Sequence, residues 1–97
     1  MQAGTFLLDV REDEEWVAGR APDAVHVAMG SIADRIDVIP KDRTVVCVCR
    51  SGSRSAAVTG ALVDAGYDVR NLAGGMLAWE ASGFPVVAAP GVPGRIV

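Results

Sequence analysis

Histidine occurs once, cysteine twice, and aromatic residues make up only 5% of the 97 residues. Each scarcity removes a class of function. One histidine without a second histidine or a cysteine pair at metal-ligand spacing leaves no expected metal site. Cys47 and Cys49 are separated by one residue. They are expected on opposite faces of a strand, so no structural disulfide is expected between them and at least one thiol is free. Basic residues are outnumbered nine to twelve, for a formal net charge of −3 and a pI near 4.9, whereas proteins that track nucleic-acid phosphates show the opposite balance. No apolar run approaches the roughly 20 residues that cross a bilayer. Met1 to Thr5 lack a cationic start followed by an apolar stretch, so neither nucleic acid nor membrane is an expected partner and a cytoplasmic location is expected. The core must be built from Val, Leu, Ile and Ala, which suits a parallel sheet buried between helices. What is present is ordinary for one folded domain: 51% apolar and 22% charged residues.

Along the chain, Thr5 to Val10 reads as a strand and Glu12 to Glu15 as the acidic opening of a helix that stops at Gly19. Ala24 to Ala28 reads as a second strand, and Ser31 can cap a short helix to about Asp37. Thr44 to Val48 is continuously apolar and β-branched, as in a central strand covered on both faces. Val58, Ala61, Leu62 and Ala65 then form one helical stripe ending at Gly66. Tyr67 to Leu72 returns to strand, Gly74-Gly75 is a turn, and Met76 to Ala81 is a last helix. Strands alternating with helices indicate an open α/β sheet with parallel connections, which binds ligands at the carboxyl ends of its strands.

The loop after Val48 reads Cys49-Arg50-Ser51-Gly52-Ser53-Arg54-Ser55. A short loop with a glycine free to take positive φ, leading into a helix N-terminus, turns backbone N–H groups toward one point. Arg50 and Arg54 add positive charge, and Ser51, Ser53 and Ser55 add hydroxyls, completing an anion cradle. A thiol in such a cradle ionises more easily than one in water, which makes Cys49 the candidate nucleophile.

These residues resemble the rhodanese family of single-domain sulfurtransferases over nearly the whole chain. The loop matches the pattern Cys-Arg-x-Gly-x-Arg-Ser. Asp9-Val10-Arg11 with Glu15-Trp16 resembles the DVR and E-[YW] segment. Gly74-Gly75-Met76-Leu77-Ala78-Trp79 and Gly83-Phe84-Pro85-Val86 resemble the GG-x-x-x-W and G-[YF]-P-V ending. The resemblance implies a three-layer α/β fold with a mostly parallel sheet of four or five strands and helices on both faces. It implies one domain over residues 1–87, with 88–97 as an irregular tail. It also implies that Cys49 carries sulfur as a persulfide between a small anionic donor, such as thiosulfate or a persulfide, and a thiol or cyanide-like acceptor, with a protein acceptor also compatible. Arg50 to Ser55 would bind the substrate, and no cofactor is required. Two departures stand out. Gly19-Arg20-Ala21-Pro22-Asp23-Ala24 replaces the family's G-H-I-P-G-A, removing a histidine and a glycine. Only eight residues precede Asp9, which implies a missing edge strand and an open sheet edge, free for the tail or for a second copy in a homodimer.

The remaining polar and aromatic residues read as structural. Cys47 is expected in the core, His26 as a hydrogen-bonded structural histidine, Trp16 and Trp79 as packing anchors, Asp9 and Arg11 as an ion pair, and Glu12 to Glu15 as a solvated helix start. Two rival functions share the resemblance. Cysteine phosphatases of the cell-division-cycle type place five residues between cysteine and arginine, whereas four separate Cys49 from Arg54, and Val48 stands where their histidine would be. A catalytically idle binding or redox-sensing module would be expected to have lost the cysteine.

Overall fold

Four short apolar runs pair side by side into one parallel sheet in the computed structural model, which describes residues 4–97. Strand β1 is Phe6–Asp9, β2 Val25–His26, β3 Val45–Val48 and β4 Val69–Asn71, in the spatial order β2-β1-β3-β4. Helix α1 (Asp13–Ala18) follows β1, α2 (Ser53–Asp64) follows β3, and α3 (Gly75–Ala81) follows β4. In the β3–β4 register Cys47 stands beside Asn71. Every strand thus delivers its carboxyl end to the same edge of the sheet.

Strand alternation divides the interior into two cores, one per face. Leu8, Val10, Val45 and Cys47 pack with Val58 and Leu62 of α2, while Leu7 and Val48 pack with Met76 of α3. This is the expected three-layer α/β arrangement. Cys47 and Cys49 depart from expectation because they lie in the same core cluster. Alternate residues of a strand share a face, so the two thiols sit on the α2 side, both free. The stripe on α2 is also only half covered. Val58 and Leu62 are buried, but Ala61 and Ala65 are exposed along an open groove beside Met29 to Ile36.

The helix expected from Ser31 to Asp37 is instead two 3₁₀ turns, Met29–Ser31 and Ile36–Val38. Only Ile32 and Ile36 pack on the core there, too little apolar surface to hold a continuous helix. The tail is not irregular either. Val87–Ala89 (β5) and Val92–Pro93 (β6) form an antiparallel hairpin. Arg20 and Val87 exchange backbone hydrogen bonds of 2.9 Å each way, and Arg95 N–H donates to the Ala18 carbonyl. Ile96 then packs into the α3-side core, so apolar residues between the glycines and prolines give the tail a surface to dock. The hairpin is a separate two-stranded sheet and does not extend β4.

The Gly19 to Ala24 turn carries Arg20 and Asp23 where the family pattern has histidine and glycine. Asp23 adopts φ +66°, the left-handed conformation that aspartate tolerates better than most residues. The Arg20 guanidinium lies over the Trp16 ring at 4.8 Å and donates to the Trp16 carbonyl.

Arg11 fixes α1 to the sheet. Its fully buried side chain donates to both carboxylate oxygens of Asp9, with Nη2 2.8 Å from Oδ2. The same guanidinium reaches the carbonyls of Glu15 and Gly19 at 3.3 and 2.7 Å. It thereby satisfies the Gly19 carbonyl just past the end of α1 and adds a second donor to the Glu15 carbonyl, which also accepts the Gly19 N–H at 3.3 Å. Arg11→Ala strands a buried carboxylate and should cost about 3–5 kcal/mol in urea unfolding. Truncating Arg70, which is exposed beside Asp68, should cost less than about 1 kcal/mol.

Candidate active site

The chain leaves β3 at Val48 and closes a tight loop from Cys49 to Ser53, where α2 begins. Gly52 takes φ +112°, a conformation that strains any side-chain-bearing residue. That turn aims its N–H at the cysteine, with N 3.1 Å from Cys49 Sγ. Amides can face inward only if the carbonyls are satisfied elsewhere. The first turn of α3 does this. Met76 N–H donates to the Cys49 carbonyl at 2.8 Å, and Leu77 N–H donates to the Arg50 carbonyl at 3.0 Å. Gly75 lies so close that an added Cβ would overlap both carbonyls, which gives the paired glycines a role beyond turning the chain.

Cys49 is fully buried, and its Sγ lies 3.3 Å from Ser55 Oγ. Burial pushes the thiol up, but hydrogen bonds from the Ser55 hydroxyl and from the amides of Ser55, Gly52 and Ser51 outweigh it and hold the thiol below the usual cysteine range. Cys47, on the same face one layer deeper, has only the Thr59 hydroxyl beside it to favour the thiolate, and burial outweighs it. Burial pushes its thiol up to about 12, so the two neighbouring cysteines differ sharply in readiness to ionise.

Arg54 is not free to turn inward. Its two terminal nitrogens grip Glu15, Nη1 to Oε1 at 2.6 Å and Nη2 to Oε2 at 2.9 Å, the forked geometry that makes such pairs strong. The Arg54 side chain beside it holds the Glu15 carboxyl down to about 2, and the hydrogen-bonded Glu15 carboxylate in turn raises Arg54 further above its ordinary range. Glu15 also accepts the Glu12 N–H at 3.0 Å, capping α1. The acidic run is therefore solvated only at Glu12 to Glu14, while Glu15 is 14% exposed and joins α1 to the loop. Arg50 is exposed and donates through Nε to the Val97 carbonyl at 3.0 Å. Ser51 and Ser53 lie exposed at the rim.

Asn71, at the end of β4, was not apparent from the sequence. Its Nδ2 donates to the Gly52 carbonyl at 3.1 Å, and its Oδ1 accepts from Ser55 Oγ at 2.5 Å. The residues read as structural take structural positions. His26 donates Nε2–H to the Arg11 carbonyl and stacks on Trp16 at 4.8 Å. Trp79 donates Nε1–H to the Pro85 carbonyl and packs against Phe84. Among the described residues no cluster of three or more His, Cys, Asp or Glu side chains is arranged for a metal, and no helix is long and apolar enough to cross a membrane.

A buried cysteine ringed by amides at the carboxyl edge of a parallel sheet agrees with what the chain is similar to. The family model described as Rhodanese-like domain matches residues 1–82. A sulfurtransferase of Allochromatium vinosum is 45% identical over 89% of this chain and 81% of its own. Thiosulfate sulfurtransferase GlpE of Pseudomonas savastanoi pv. phaseolicola is 35% identical over 84% of this chain and 77% of its own. The crystal structure of a rhodanese-related protein from Thermoplasma volcanium superposes with a TM-score of 0.83 at 27% identity, covering 88% of this chain and 85% of that one. The chain belongs to the rhodanese-like domain family and stands among its sulfurtransferases.

Two measurements probe this geometry. Iodoacetamide at neutral pH should modify one cysteine in the folded protein, and Cys49→Ser should abolish the modification, as read by intact-mass spectrometry. Glu15 would titrate near 4.5 if unpaired and titrates at about 2 in the folded protein. Its contribution to stability is thus complete above pH 4.5 and is lost as pH falls through about 2. Glu15→Gln should therefore be less stable at neutral pH and show a flatter loss of stability across that acid window in pH-dependent urea unfolding.

Proposed function

We propose that Cys49 carries a sulfane sulfur as a persulfide, taking it from thiosulfate or another persulfide and passing it to a thiol or to cyanide. The observation that carries this reading is the concentration of backbone donors on one sulfur atom: the amides of Ser55, Gly52 and Ser51, with the Gly52 nitrogen at 3.1 Å. In the first half-reaction the Cys49 thiolate attacks the outer sulfur of thiosulfate. A new S–S bond forms, the S–S bond of thiosulfate breaks, and sulfite leaves with the electron pair. The persulfide keeps one negative charge, on its outer sulfur, and amides fixed in advance stabilise it without reorganising. In the second half-reaction cyanide takes that sulfur as thiocyanate, or a thiolate takes it as a new persulfide, and the Cys49 thiolate is restored.

Each loop residue has a distinct task in this reading. Arg50, exposed at the rim, draws in the anionic donor. Arg54, clamped by Glu15, holds the loop closed. The amides of Ser51, Gly52 and Ser55 bind the sulfur. Ser53 opens α2 and adds a rim hydroxyl. The same clamp weighs against a phosphate substrate, since both terminal nitrogens of Arg54 are already engaged and four residues separate it from Cys49. In this reading the chain works as a single domain, with the docked hairpin bracing its side.

Brief incubation with thiosulfate should add the mass of one sulfur atom to the intact protein. The gain should disappear on adding cyanide and be absent from Cys49→Ser. No gain with thiosulfate or with glutathione persulfide would overturn the sulfur-carrier reading.

A further inference from the structure

The hydroxyl of Ser55 has one hydrogen and three acceptors around it. Its Oγ stands 2.5 Å from Asn71 Oδ1, 3.3 Å from Cys49 Sγ and 3.3 Å from the Gly52 carbonyl. The orientation of the Asn71 amide is fixed independently. Its nitrogen side lies 3.1 Å from the Gly52 carbonyl, which only accepts, so the amide oxygen must face Ser55. That oxygen only accepts in turn, so the short contact takes the Ser55 hydrogen. Ser55 then offers Cys49 a lone pair, and the sulfur contact is a hydrogen bond when Cys49 is S–H. The cluster is a directed chain: Cys49 S–H to Ser55, Ser55 O–H to Asn71, Asn71 N–H to Gly52. Ionising Cys49 reverses its first link. The hydroxyl must swing to the thiolate, and Asn71 Oδ1 is left without its donor in a half-buried position, where an unmet acceptor is costly.

We propose that Asn71 is a positioning residue that competes with the Cys49 thiolate for the single Ser55 hydrogen, and so favours an uncharged Cys49 sulfur. Such a sulfur is either the resting thiol or the inner atom of a loaded persulfide. In the persulfide the charge sits on the outer sulfur, and Ser55 keeps its bond to Asn71. Only the bare thiolate between turnovers draws the hydrogen away. Asn71 thereby tilts the carrier toward its loaded state and restrains the thiolate when it is empty.

This inference takes its meaning in turnover from the persulfide reading, but the competition itself can be read without any sulfur donor. The charged and titratable groups facing Cys49 are few. Cys47 of β3 stays protonated because burial holds its thiol near 12. Arg54 of α2 is paired with Glu15 of α1, Asp9 of β1 is bound by Arg11, and Arg50 is exposed on the loop itself. The ends of β4 and α3 nearest the sulfur contribute Asn71, Gly75 and Met76, none charged. Pairing holds the Glu15 carboxyl down to about 2 and raises Arg54, so both keep their charge across neutral pH and leave the titration of Cys49 undisturbed.

The test is the pH dependence of iodoacetamide alkylation, with thermal melting to confirm the fold. Asn71→Leu removes the competitor and should lower the Cys49 midpoint by up to about one unit, about tenfold more thiolate below the midpoint. Asn71→Asp keeps an acceptor for the Ser55 hydrogen and should raise the midpoint. In a Ser55→Ala background Asn71→Leu should leave the midpoint where Ser55→Ala alone puts it. An unchanged or raised midpoint in Asn71→Leu, a lowered one in Asn71→Asp, or a shift that persists without Ser55 would each overturn the proposal. Should Asn71→Leu fail to fold, Asn71→Ala makes the same comparison with less bulk. A failure to take sulfur from thiosulfate would sink the carrier reading and leave these titrations unaffected, so the two failures are distinguishable.

Discussion

A run of consecutive residues cannot turn its amides toward one atom unless its carbonyls find partners outside the loop. That constraint organises this protein. The carbonyls of Cys49 and Arg50 are taken by the first amides of α3, and that of Gly52 by the Asn71 side chain. Because α3 must come close enough to reach them, Gly75 has no room for a side chain. The amide-lined sulfur site is therefore built as much by the turn after β4 as by the loop that contains the cysteine.

A second line of support runs from the sheet through α1. The buried Asp9–Arg11 pair ties the end of α1 to β1, and this sets Glu15 where it can clamp Arg54. The arginine nearest the start of α2 thus closes the loop, and its charge is balanced before any anion arrives. Of the two loop arginines, Arg50 is the exposed one. The electrostatics at the sulfur come mainly from amides and one hydroxyl.

The parts legible in the sequence were those carried by contiguous residues. A β-branched strand, a glycine-bearing loop and a helix follow one another directly from Thr44 to Ala65, so the strand, the amide-lined loop and the candidate nucleophile within it could be read in one pass. The alternation of short strands and helices indicated an open α/β sheet with parallel connections in the same way. What escaped depended on contacts between distant segments. Glu15 stands 39 residues from Arg54, and Asn71 16 residues from Ser55. Nothing local distinguishes them from a solvated helix start and an ordinary strand end. The placement of Cys47 on the face of Cys49 followed from strand period and was misassigned from it. The docked hairpin was hidden by prolines and glycines that mark breaks without showing what the intervening valines and isoleucine would cover.

The strand that carries Asn71 is three residues long and lies at the border of the sheet, hydrogen-bonded to β3 alone. Border strands open at lower free energy than the interior of a sheet, in excursions well short of unfolding. Each such excursion withdraws both the acceptor of the Ser55 hydrogen and the donor to the Gly52 carbonyl, while the cysteine stays anchored to the central strand. On the proposed role of Asn71, opening of β4 would release the Ser55 hydrogen to the Cys49 thiolate, so the reactivity of the sulfur would be coupled to the fraying of its neighbour.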